Sequence, residues 1–256
     1  SKLSAVEGIG FWALPIGLFA AAGMSILLSL AVGAVALRLR GAYFAIATIG
    51  VNEGFRYLIE GARLWNGSEG SIFSKDIRTI FGRETAMALS TYWADVMVIV
   101  IAASAAVVTL VYMRSKIGYA LMALREDEDA AKVLGINVTK YKIIAFITSA
   151  VFAGLLGATA WALKLTYVYP PDAFEIHYTV EAIIIVMLGG AGTLLGPVVG
   201  GLIYGLSKYW LSIILPGFQL LIFAPVILVI IVAFPEGTVG FLKRKVQGTA
   251  LERYIL

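Results

Sequence analysis

The chain has 256 residues, 60% hydrophobic and only 14% charged, with a net charge of +4 and a mean hydropathy of +0.91. A soluble domain carries roughly 25% charged residues, so water is not the main solvent of this chain. With no cysteine and a single histidine, His177, a disulfide framework and a thiolate metal site are excluded, and little remains for imidazole-rich metal chemistry.

Ser1-Lys2-Leu3 reads neither as a translation start nor as a signal peptide, and a further N-terminal part is expected before it. A helix rises about 1.5 Å per residue and the hydrocarbon core is about 30 Å thick, so roughly 20 uncharged residues cross it. Residues 8–37 hold 30 without a charge, which predicts a first span over 9–37, closed by Arg38 and Arg40. Residues 41–60 are a weaker span, in which Glu53, Arg56 and Glu60 follow the apolar stretch from Tyr43 to Asn52. Spaced i, i+3 and i+7, these three share one side of a helix, and Arg56 can pair with either carboxylate. Ionic groups in a membrane are costly and face protein or a wet cavity. Tyr43, Asn52, Glu53 and Arg56, with Glu181 further on, are therefore candidates for a substrate path, against the plainer reading of a structural ion pair.

Residues 61–92 read as a long external loop with a turn-rich tip from Trp65 to Gly70. A span over 94–113 follows, and then a charged island from Arg114 to Lys142. The island carries Arg114, Lys116, Arg125, Lys132, Lys140 and Lys142 around the acidic block Glu126, Asp127, Glu128, Asp129. From Tyr119 to Leu134 it lacks proline and glycine, and Gly135 suits a C-terminal stop, so one helix is predicted over 119–135. Leu121, Leu124 and Ala131 would face one way, and Arg125, Glu128 and Lys132 the other.

A span over 143–164 comes next, followed by an external loop in which His177, beside Pro170-Pro171-Asp172, is expected to be solvated or locally bonded. Gly189, Gly190, Gly192, Gly196 and Pro197 break the apolar run that follows, dividing it into spans 179–191 and 198–215, with a turn near 192–197. Lys208 lies inside the second of these and could snorkel. Gly192, Gly196 and Gly200 recur every fourth residue, and Gly201 and Gly205 repeat that spacing. Two readings stay open: close helix packing, or backbone exposed to a translocation path. A last span is predicted over 218–234, before Lys243-Arg244-Lys245.

Short cationic connections mark the cytoplasmic side, which puts Arg38 and Arg40, the 114–142 island and Lys243–Lys245 inside. Seven crossings starting outside satisfy all three, and parity fails if 41–60 does not cross. The basic residues sit at span ends rather than on one stripe, so they reflect topology and not nucleic acid binding. The fold class is all-α: a polytopic transmembrane helix bundle with short or broken helices and a cytoplasmic helix. No G-x-x-x-x-G-K-[ST] phosphate loop is present, so the chain does not hydrolyse ATP by that mechanism. H-E-x-x-H and G-x-S-x-G are absent too, which argues against an intramembrane enzyme. The competing reading is a secondary transporter or channel in which Glu53, Arg56 or Glu181 carries an ion or proton.

The stretch from Gly118 to Asn137, GYALMALREDEDAAKVLGIN, resembles the cytoplasmic coupling segment of LivM-type permeases of branched-chain amino acid ABC importers. The stretches from Leu37 to Thr48, Leu188 to Pro197 and Phe234 to Gly237 are similar to that family's arginine-glycine-aromatic motif, glycine-rich turn and C-terminal ending. The chain departs from the pattern in lacking the family's N-terminal helices and in carrying Trp65-Asn66-Gly67-Ser68 where Thr-Gly-Gly is usual. The resemblance implies one permease domain over 1–256, multi-pass in the inner membrane, for branched-chain or related amino acids. It implies a LivH-like second permease subunit, two ABC ATPases that bind ATP and magnesium, and an external or periplasmic binding protein. This chain itself would carry no cofactor. Coupling to the ATPases would fall to Arg125, Glu126, Asp127, Ala130, Ala131, Leu134 and Gly135, and tight turns and packing to Gly189, Gly190, Gly192, Gly196, Pro197 and Gly200.

Overall fold

Within lipid a backbone must satisfy its own polar groups, and apolar runs of this length do so as helices. The computed structural model describes residues 12–39, 41–62, 64–214, 225 and 237–238, and among these all but two very short strands of the regular structure is helical. Residues 218–234 apart from Pro225, the cationic group at 243–245 and Arg40 lie outside the described residues. Two compact units are present, one ending at Phe174 and one beginning at Glu175.

The first unit is built on α1 (Ala13–Ala36), α2 (Ala42–Gly61), α5 (Ala94–Met113) and α8 (Val138–Gly157). Gly33 of α1 faces Phe146 of α8, while Ser25 faces Gly154, so these helices run antiparallel. Tyr112 and Thr148 share a 2.8 Å hydrogen bond near one end of α5, and Asp95 pairs with Lys164 near the other, so α5 is also antiparallel to α8. Phe44 of α2 meets Phe146 edge to face at 6.4 Å, and α2 starts beside the start of α8. Thus α1 and α5 run one way and α2 and α8 return, as the first four predicted crossings require. Ala13–Ala36, Arg83–Met113 and Val138–Leu165 are each long and apolar enough to cross a membrane, and the chain is a multi-pass membrane protein. The 20 residues of α2 have the length but carry Glu53, Arg56 and Glu60.

The outer loop departs from expectation. Residues 64–69 wind as a 3-10 helix, and β1 (Ser71–Ile72) pairs antiparallel with β2 (Tyr167–Val168), Ser71 opposite Val168. Then come α3 (Ser74–Phe81) and α4 (Arg83–Ala88). The reason is amphipathicity: Phe73, Ile77, Ile80 and Phe81 turn toward Leu14 and Ala162 around an apolar cavity of about 280 Å³, while Lys75 and Arg78 stay exposed. A π-helical stretch, Leu89–Trp93, leads into α5, and a second, Ala158–Leu165, extends α8. Thr159 in the second is fully buried and donates to the Leu155 carbonyl oxygen at 2.9 Å. The short α9 (Pro170–Ala173) closes the unit.

The second unit contains a hairpin of α10 (Ile176–Gly189) and α11 (Gly196–Ile214). The turn between them comes slightly earlier than expected, because Gly196 and Pro197 already belong to the first turn of α11, where a missing proline N–H is harmless. A Cβ on Gly200 would overlap the Ile185 carbonyl oxygen, and one on Gly189 would overlap the Gly196 carbonyl oxygen. Close packing is therefore present at Gly189, Gly196 and Gly200. The second stripe does not share it, since a Cβ on Gly205 would meet nothing within 4 Å and one on Gly201 only Ile185 at 3.8 Å. Gly200→Leu is expected to destabilise the protein by roughly 1–3 kcal/mol, while Gly205→Ala leaves it unchanged. Thermal unfolding of the detergent-solubilised variants, followed by size-exclusion, checks this, and equal midpoints would contradict the packing role.

Candidate functional site

At the end of the first unit where α1 and α5 finish, the charged island folds as α6 (Lys116–Glu126) and α7 (Glu128–Val133). The single helix expected over 119–135 is thus corrected in two ways: it begins at Lys116 and it breaks at Asp127. Ser115 starts α6, its Oγ accepting from the Ile117 N–H at 3.2 Å. Asp127 is extended, with φ −155° and ψ 117°, and its Oδ1 accepts from the Asp129 and Ala130 N–H groups at 2.8 and 2.9 Å. It is an N-cap, a role its side chain favours over a helix interior. Glu128 and Asp129 then fall in the first turn of α7, where the helix dipole favours negative charge.

Gly135 ends the segment as expected, at φ 83°, a left-handed conformation that glycine adopts without strain. The Ile136 and Gly135 N–H groups return to the Ala131 and Lys132 carbonyl oxygens, both at 3.0 Å. Asn137 then caps α8, its Oδ1 accepting from the Lys140 N–H at 3.1 Å. Ala131 is 2% exposed and Leu121 and Leu124 are partly buried, while Arg125, Glu126, Asp127 and Ala130 are exposed. Beyond them Val133 is 88% exposed and Leu134 78%, an apolar pair at the tip of the segment. Glu128, placed on the outward face by periodicity, is instead partly buried: its Oε2 accepts from Lys142 Nζ at 2.7 Å.

Each candidate path residue belongs to one of the two units. Tyr43 is exposed near the start of α2. Asn52, three turns on, donates from Nδ2 to the Phe174 carbonyl oxygen at 2.8 Å and so ties α2 to the chain after α9. Arg56 pairs with both neighbours, Nε 3.0 Å from Glu60 Oε1 and Nη1 3.5 Å from Glu53 Oε2, and lies 5.7 Å from the Tyr57 ring centre. In the second unit Glu181 joins a polar knot whose members the sequence left separate. Its Oε1 accepts from Tyr204 Oη at 2.9 Å, pairs with Lys208 Nζ, and lies 2.8 Å from His177 Nε2. His177 occupies the first turn of α10 rather than a loop, one turn before Glu181. The missed signal was the i, i+4 spacing of His177 and Glu181, matched by that of Tyr204 and Lys208.

These features sit on one connected stretch of sequence similarity. The family described as branched-chain amino acid transport system / permease component matches residues 3–232. The chain belongs to this family. Among relatives, it is 31% identical to the high-affinity branched-chain amino acid transport system permease protein LivM of Salmonella typhimurium and 32% identical to that of Escherichia coli. Each alignment covers 78% of this chain and 51% of the relative, so the chain spans about half the length of the curated relatives it matches. No solved structure matches it. Family membership accounts for the bundle of apolar helices.

Removing the Asp127 cap with Asp127→Ala is expected to weaken α7 by ~1 kcal/mol, with Asp127→Asn close to neutral. Amide hydrogen exchange at Asp129 and Ala130 should accelerate about fivefold in the alanine variant alone. Unchanged exchange would show that α7 does not depend on this cap.

Proposed function

We propose that the chain is a permease subunit of an ATP-driven ABC importer that carries branched-chain or related amino acids across the inner membrane. In this reading it is not an enzyme and holds no cofactor; two ABC ATPases bind ATP and magnesium and dock on α6 and α7. A LivH-like permease completes the path, and an external or periplasmic binding protein delivers substrate. The observation that carries the reading is the capped α6–α7 segment between two antiparallel spans, with apolar Val133 and Leu134 bare at its tip. An apolar pair beyond the end of the spans and outside the core suits burial by a partner better than contact with water.

In the proposed cycle, closure of the ATPase dimer shifts α6 and α7. The α5 and α8 spans, joined to each other by Tyr112–Thr148 at one end and Asp95–Lys164 at the other, tilt as a pair, and access switches from outside to inside. Arg125, Glu126, Asp127, Ala130, Ala131, Leu134 and Gly135 then shape or surround the docking surface. Glu181 fixes the α10–α11 hairpin in this reading, and Glu53 and Arg56 remain the candidates for the substrate path.

The test is uptake of a labelled amino acid panel by the reconstituted full complex, with ATP hydrolysis recorded alongside. ATP-dependent uptake of branched-chain amino acids is expected. Substituting Val133 and Leu134 by aspartate should remove two desolvated apolar anchors and reduce ATPase association by roughly 10-fold or more. Unimpaired association of that double variant would place the docking surface elsewhere.

A further inference from the structure

The α6–α7 segment has two joints. Asp127 is extended between the helices, and Gly135 turns the chain between α7 and α8. A displacement applied to α7 would be absorbed as backbone rotation at these joints unless something crosses them. The α7 helix has little apolar anchorage of its own, since Ala131 is its one buried residue. A side-chain contact crosses the second of these joints. Glu128, the first residue after the Asp127 joint, accepts through Oε2 from Lys142 Nζ at 2.7 Å, and Lys142 lies just over one turn into α8. The pair spans 14 residues of sequence and bypasses Gly135.

Its surroundings set this pair apart from the others on the segment. Glu128 and Lys142 line a cavity of about 640 Å³ with Leu39, Leu121, Phe44 and Phe146. Both are partly buried there, which limits screening by water and salt. The Lys132–Asp129 contact, at 3.5 Å, is by contrast exposed and lies within a single helix, where such pairs contribute little. Lys132 also approaches Glu128 Oε1 at 3.8 Å, which holds the carboxylate on the α7 side without crossing a joint.

We propose that the Glu128–Lys142 ion pair is the strut that carries movement of the docked α6–α7 segment into α8. The two are positioning residues for transport; the inference rests on the ABC-importer reading. The experiment uses the full-length permease, its second permease subunit, the ATPases and the binding protein in vesicles, with radiolabelled leucine uptake and ATP hydrolysis measured together. The variants are Glu128→Gln, Lys142→Gln, the exchanged pair Glu128→Lys with Lys142→Glu, and Asp129→Asn as control. Uptake per ATP hydrolysed is expected to fall roughly fivefold or more in each single variant while hydrolysis persists. The exchanged pair should regain most of that ratio, and Asp129→Asn should keep it. Where a single variant fails to assemble, the exchanged pair decides. A wild-type ratio in the single variants, a parallel fall of uptake and hydrolysis, or failure of the exchanged pair to recover the ratio would overturn the strut. A wild-type complex without ATP-dependent uptake would overturn the importer reading itself, an outcome distinct from the other three.

Discussion

Helices in lipid gain little from hiding apolar side chains from one another, because the lipid tails are equally apolar. What holds them together is close backbone approach, and this bundle depends on it. A Cβ on Gly154 would overlap Ser25 Oγ, and Gly33 is pressed by the Phe146 ring, so the α1–α8 pair rests on small residues at both ends of its contact. Gly189, Gly196 and Gly200 do the same for the α10–α11 hairpin. Polar side chains then fix register where the backbones already meet: Tyr112 with Thr148, and Glu181 with Tyr204.

The antiparallel α1–α8 contact also sorts the ends of the first unit. Arg38, the α6–α7 segment and the cap of α8 collect at one end; the β1–β2 ladder, α3 and α9 collect at the other. The first end carries the cationic excess that the proposed cytoplasmic docking requires. The segment proposed to meet a soluble partner joins two spans that are tied to each other near both ends of α5.

Much of this was legible in the sequence because span length and charge placement are strong signals. The bounds of α2, α5 and α11 fall within two residues of expectation, and Gly135 stops its helix as its position suggested. The break at Asp127 was hidden because alanine- and leucine-rich flanks favour helix, and an aspartate in an acidic block reads as one more solvated charge rather than a cap. The outer loop was hidden for a different reason. An eight-residue amphipathic helix such as α3 depends on the apolar surface it covers, and that surface comes from α1 and the extension of α8, far away in sequence. Glu181, Tyr204, Lys208 and His177 were each visible, but only the hairpin brings both halves of the knot together. For Glu53, Arg56 and Glu60 the ladder of spacings was enough, since one helix face holds all three.

The π-helical stretch at Ala158–Leu165 makes its hydrogen bonds one residue further along than an α-helix does, so it accommodates extra residues in a shorter rise. Its phase is therefore out of step with the rest of α8. Trimming one amino acid there would not merely shorten the rod. It would swivel every later side chain about the axis, carrying Lys164 away from Asp95 and unthreading the short ladder that begins at Tyr167.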